Sequence, residues 1–83
     1  MARFSLPATG GAYVQIKIYD FSGMFVSTVF DGNLPQTGYE PAWRAQNDHG
    51  EQVAGGVYLA HIRMSAGGVT KEQIVKVAFK RKG

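Results

Sequence analysis

Residues 43–62, WRAQNDHGEQVAGGVYLAHI, decide the fold. They contain a strand end, a polar turn, a short arm over 51–54, a glycine pair and the start of a strong strand. Asn47, Asp48 and Gly50 are turn formers. Asx side chains bond nearby backbone, and glycine reaches positive φ without a Cβ clash. Gly55 and Gly56 let the chain reverse. Residues 57–64 then supply the β-branched and aromatic side chains that suit a pleated, half-buried surface. Such a stretch builds the corner of a β-sandwich. Trp43, the only tryptophan, is expected to be buried against Tyr58, Ile62 and the Val14, Ile16, Ile18 face.

Working outward, the N-terminal side alternates strands and turns. Residues 3–6 place Phe4 and Leu6 on one side before Pro7 removes a ladder donor. Tyr13–Asp20 is the cleanest strand, with Val14, Ile16 and Ile18 on one face and Tyr13, Gln15, Lys17 and Tyr19 on the other. Asp20-Phe21-Ser22-Gly23 signals a tight turn into a strand over 24–30, and Gly23 is expected at positive φ. The facing of that third strand is ambiguous. Phe25 and Val29 fit one face, and Val26, Thr28 and Phe30 fit the other. Asp31-Gly32-Asn33 should break it. A fourth strand opens at Gly38, with Tyr39, Pro41 and Trp43 on one face, and Pro41 marks it as an edge or a bulge.

On the C-terminal side, Tyr58, Ala60, Ile62 and Met64 form the apolar face of the strand over 57–64. Gly67-Gly68 makes a hairpin turn. The last strand, 70–80, puts Val75, Val77 and Phe79 inward and Lys76 and Lys80 outward, followed by the polar tail Arg81-Lys82-Gly83. Outward lysines guard an edge strand against pairing with another chain. No window carries a 3.6-residue amphipathic pattern. The expected fold is therefore all-β, an antiparallel sandwich in one domain spanning residues 1–83.

Composition narrows the function classes. An 83-residue chain with eleven glycines is one small, turn-rich domain. The absence of cysteine excludes a disulfide framework and thiolate chemistry. Formal net charge is +3, with much of the excess in Lys71, Lys76, Lys80, Arg81 and Lys82. That is too sparse for a nucleic-acid footprint and reads as a solvated strand face. No apolar run approaches the roughly 20 residues that span a bilayer, so no membrane insertion is expected.

No catalytic or cofactor site is expected. His49 and His61 lack zinc-ligand spacing, no G-x-S-x-G elbow occurs, and the glycine pairs are not a phosphate loop. Asn47, Asp48 and Glu51 could ligate calcium. Their spacing misses the EF-hand pattern, and turn chemistry accounts for them.

The segments RFSLP, VQIKIYDFSGMFVSTV, Gly38 with Trp43, NDHGEQVAGGVYLAHI and KEQIVKV occur in that order. Their arrangement resembles the C-terminal sorting domain of type IX secretion substrates and the related Ig-like domain named after the flagellar hook-capping protein. The resemblance covers nearly the whole chain. Its most specific pieces are Ile18 to Gly23, Gly38 with Trp43, and Asp48 to Tyr58. It implies an Ig-like sandwich of about seven strands, at the C-terminus of an exported multi-domain bacterial protein. Any export signal then lies outside these residues, and the location is extracellular or at the cell surface. It also implies a non-enzymatic role in sorting or surface attachment, with the outer-membrane secretion machinery as partner. In sorting domains the lysine-containing last strand matters for recognition; the matching positions are Lys71, Lys76 and Lys80. The alternative is a spacer that packs against adjacent domains of the parent protein. One departure concerns the backbone: Arg44-Ala45 follows Trp43, where the family often has an acidic or small residue and then glycine.

Overall fold

The computed structural model describes residues 1–80. The expected polar tail lies outside them. The described residues form six strands and no helix: β1 (Ala2–Arg3), β2 (Tyr13–Asp20), β3 (Phe25–Asn33), β4 (Ala42–Trp43), β5 (Gly56–Ala66) and β6 (Val69–Phe79). The all-β expectation holds, with six strands where about seven were expected. A four-stranded antiparallel sheet runs in the order β3-β2-β5-β6, and β1 pairs with β4 in a two-stranded ribbon. The ribbon and its loops cover one face of the large sheet in a sandwich-like arrangement.

Alternation along β2 sets the register. Val14, Ile16 and Ile18 are fully buried, whereas Tyr13, Gln15, Lys17 and Tyr19 lie opposite. β5 answers with Tyr58, Ala60, Ile62 and Met64, all buried. Directly paired residues share a face, so Ile18↔Ala60, Ile16↔Ile62 and Val14↔Met64 become stacked inner rows. Each large buried aliphatic contributes about 1.5–3 kcal/mol, against about 0.5–1.5 kcal/mol for a turn hydrogen bond. A one-residue slip would bury Gln15 and Lys17 instead, so burial decides the register.

The cover supplies Phe4, Leu34 and Trp43 to the same core, with Leu6, Ala45 and Val53 at its margin. Trp43 is 4% exposed. Its ring meets Tyr58 edge-on at 5.2 Å and Phe79 at 5.9 Å, and its indole N–H donates to the Gln46 carbonyl at 2.9 Å. Tyr58 stacks on Phe79 at 5.5 Å and donates its hydroxyl to the Ala54 carbonyl at 2.6 Å. The tryptophan is thus buried as expected, in the same core cluster as Ile62 and Val14. Its ring neighbours are Tyr58 and the last-strand residue Phe79.

Three expectations need correction. Residues 31–33 do not break β3: Asp31, Gly32 and Asn33 pair with Gln15, Val14 and Tyr13. Gly32, at φ +156°, is accommodated within the ladder. Gly38, at φ +84°, lies in a turn and opens no strand; β4 is only two residues long. Pro41 lies just before β4, and its carbonyl accepts from the Phe4 amide. Finally, neither facing assigned to β3 is right, because two register shifts fall within it. Phe30 pairs with Ile16 and Ser27 with Ile18, both inward; Thr28 pairs with Lys17 and Phe25 with Tyr19, both outward. Val26 and Val29 are the extra residues, and bulges of this kind destroy period two.

Candidate functional site

The final hairpin is the most regular part of the molecule. Gly67 and Gly68, at φ +58° and +80°, form its two-residue loop. Positive φ at both positions is what a type I′ turn requires, and that turn matches the twist of the flanking strands. Pairing then runs without a shift from Ala66↔Val69 to Gly56↔Phe79. Gly56 has φ +155° and Gly23 has φ +93°, so each carries the backbone role expected of it. Gly55 is not among the positive-φ glycines.

That unbroken ladder fixes where Lys71 and Lys76 stand. Lys76 pairs with Leu59 and lies on the outer face, exposed. Lys80 is exposed just past the end of β6. Lys71 pairs with Met64 and so belongs to the inner side, exposed at the far end of the strand. Five residues of strand separate it from Lys76 by about 17 Å. Lys76 and Lys71 therefore stand on opposite faces, and Lys80 lies beyond the ladder, four residues after Lys76. Lys71 instead borders a shallow depression of about 370 Å³ with Pro7, Ala12, Met64 and Val69.

The outer face is laid out in rows across the sheet. At the Lys76 end the row is Phe25, Tyr19, Leu59 and Lys76, with the Tyr19 and Phe25 rings edge-to-face at 5.9 Å. Phe21 and Met24 stand exposed in the adjoining turn. The next row is Thr28, Lys17, His61 and Ile74. The third is polar throughout: Asp31, Gln15, Arg63 and Glu72. Glu72 lies 3.9 Å from Arg63 in its own row and 3.6 Å from His61 in the neighbouring one. Asp31 accepts a short hydrogen bond from the Tyr13 hydroxyl and a longer one from Gln15 at 3.4 Å. The Tyr13 bond, then the Gln15 bond, hold the Asp31 carboxyl below its ordinary range, and the same Asp31 contact raises the Tyr13 phenol.

The turn at the opposite end of β2 is also built on one carboxylate. Asp20 Oδ1 accepts from the Ser22 hydroxyl at 2.6 Å, the Ser22 amide at 2.9 Å and the Met24 amide at 3.0 Å. Its pKa is lowered, first by the Ser22 hydroxyl and then by the Met24 amide.

The polar turn in the deciding stretch is a small hairpin. Asn47 Oδ1 accepts from the His49 and Glu51 amides, and its side-chain nitrogen donates to Glu51 Oε1 at 2.9 Å. Asp48 turns away from that loop altogether. Its Oδ1 accepts from the Ser27 hydroxyl at 3.0 Å and the Thr28 amide at 2.9 Å, clasping the bulged edge of β3. Asn47 and Glu51 are thus bonded to each other, and Asp48 is bonded to β3. Among the described residues, no three His, Asp or Glu side chains gather as metal ligands.

Sequence reasoning misses the Asp48 clasp. Its one trace is a serine in the third strand, since Ser27 is the single buried polar residue among those described. A buried hydroxyl needs a partner. Ala45 is also missed as a backbone feature: it sits at φ +58°, left-handed, immediately before the small hairpin. Compared with protein-family models, with characterised proteins and with solved structures, the chain has no match.

Proposed function

We propose that the chain is a non-enzymatic Ig-like module that directs C-terminal sorting or surface attachment of an exported bacterial protein. In this reading the outer-membrane secretion machinery reads the outer end of the last strand. The observation that carries it is the placement of Lys76 and Lys80: both are exposed, at the end of an edge strand. Further support comes from the pieces that carry the family resemblance. Ile18 to Gly23 is a working hairpin turn, and Asp48 to Tyr58 joins the clasp on β3 to the aromatic core.

The test fuses the 83-residue chain to a periplasmic reporter in a type IX-competent bacterium. Surface delivery by the intact fusion, lost in a folded Lys76→Ala/Lys80→Ala variant, supports sorting. Retention of a folded, intact fusion in the periplasm refutes it. Lys71→Ala, on the other face, should leave delivery unchanged.

A spacer that packs against a neighbouring domain is the second reading. It is favoured by Phe21, Met24 and Phe25, three exposed apolar side chains gathered at the β2–β3 turn. If the intact fusion is not delivered, this patch becomes the contact to test.

A further inference from the structure

We propose that the free edge of β6 is a self-association site, where two copies pair β6 to β6 in antiparallel register about a two-fold axis at Ile74. The two four-stranded sheets then become one continuous sheet. A two-fold contact is isologous, so whatever residue i meets, its equivalent meets in return.

Three observations lead there. First, β6 is eleven residues long and, among the described strands, pairs with β5 alone, so that residues 69–78 have no strand neighbour on their other side. Its ladder to β5 has no bulge, so the free side presents a straight row of amides and carbonyls. Second, Ile74 is 67% exposed and Val69 57%, large β-branched side chains on the two sides of that edge. Third, the charges on the outer side are self-complementary. Pairing centred on Ile74 sets Glu72 opposite the partner's Lys76, and Lys76 opposite the partner's Glu72. On the inner side it sets Lys71 opposite the partner's Val77.

The register is selective. A two-fold axis perpendicular to the sheet keeps each face on its own side, so only residue-centred pairings are allowed. Centring on Glu72 or Lys76 would oppose like charges. Centring on Gln73 or Val75 would set Glu72 or Lys76 against Ile74. Only the Ile74 register makes both charge pairs, and it also brings the two Ile74 side chains together. Lys76 would repel a second copy in other registers, and here it is neutralised. Opposite-charge pairs across strands are favourable and like charges are not. This inference stands apart from the sorting reading, since a charge-swapped chain can pair without having a lysine at position 76.

Sedimentation velocity on the 83-residue chain across a concentration series tests it, with circular dichroism to verify folding. The wild type should show a monomer–dimer equilibrium that weakens at high salt. Lys76→Glu, which leaves the Arg63–Glu72–His61 cluster intact, should weaken dimerisation by at least about tenfold, because symmetry counts each lost pair twice. Ile74→Lys, placing two cations at the axis, should also abolish it. The double swap Glu72→Lys/Lys76→Glu should restore dimerisation, since the same pairs form with signs reversed. A wild type that stays monomeric at every concentration overturns the proposal. So does a Lys76→Glu variant that dimerises like wild type, or a folded double swap no better than the single.

Discussion

The two edges of the four-stranded sheet are built on opposite plans. The β3 edge is bent by two register shifts, and one of its outward amides, that of Thr28, is taken by the Asp48 carboxylate. The β6 edge is straight, eleven residues long and bonded to β5 alone among the described strands. A bulged and clasped strand is a poor template for another strand, whereas a straight one is a good template. Among the described strands, one edge is thus closed by a clasp from the chain itself and the other has no strand neighbour. Ile74 and Lys76 belong to that second edge, and Lys80 follows its end.

The largest expected effect comes from the feature that ties β6 to the cover. Trp43 contacts both Tyr58 on β5 and Phe79 at the end of β6. Trp43→Ala should cost about 3–5 kcal/mol, the range for truncating a large buried aromatic. Total stability of a domain this small is of similar size. The variant should be largely unfolded at room temperature by denaturant titration. A loss under about 1 kcal/mol would mean that the cover does not hold the sheet.

The second test opens the closed edge. Asp48→Ala leaves the buried Ser27 hydroxyl and the Thr28 amide without their acceptor. A loss of about 1–3 kcal/mol is expected, recovered in part by Asp48→Asn, whose amide oxygen still accepts. If Asp48→Ala melts like wild type, the clasp does not secure β3.

The third test concerns the turn that delivers Asp48 to β3. Ala45 is held at φ +58°, a region that costs an L-residue about 1–2 kcal/mol and glycine little. Glycine there loses backbone entropy and a half-buried methyl, so Ala45→Gly should stabilise by only about 0.5 kcal/mol. Ala45→Val should destabilise. Opposite signs for the two substitutions, read as midpoint shifts in urea, are the expected result. Destabilisation by glycine would show that the methyl contact outweighs the backbone strain.

The smallest effect is expected on the open edge. Lys76→Ala/Lys80→Ala should change stability by no more than about 0.5 kcal/mol, because exposed side chains away from special features contribute little. A larger loss would assign these lysines to the fold and weaken the case that they serve recognition.

The same contrast explains which elements are legible in the sequence. β2, β5 and β6 are legible because each has an unbroken period of two and one inward row, so Val14, Ile16, Ile18, Tyr58 and Ile62 announce their own facing. β3 is not, because Val26 and Val29 are extra residues and a bulge leaves no mark on composition. The short β4 reads as too long because Gly38 and Pro41 signal a turn and an edge without saying how far the edge runs. The three lysines stand as a set only by family resemblance. The ladder separates them, since Lys71 and Lys76 differ by an odd number of residues and an odd step changes face. Asp48 has the local signature of a turn former, and its partners lie about twenty residues away on another strand, beyond any local pattern.

Residue-resolved hydrogen exchange on dilute protein compares the two edges most directly. The Thr28 amide, on the free side of β3, should be protected, and Asp48→Ala should remove that protection. Alternate amides along residues 69–78, those directed away from β5, should exchange close to unstructured rates, while the amides between them stay protected. Uniform protection along β6 in the dilute monomer, or a Thr28 amide that exchanges freely in the wild type, would contradict the distinction between a closed and an open edge.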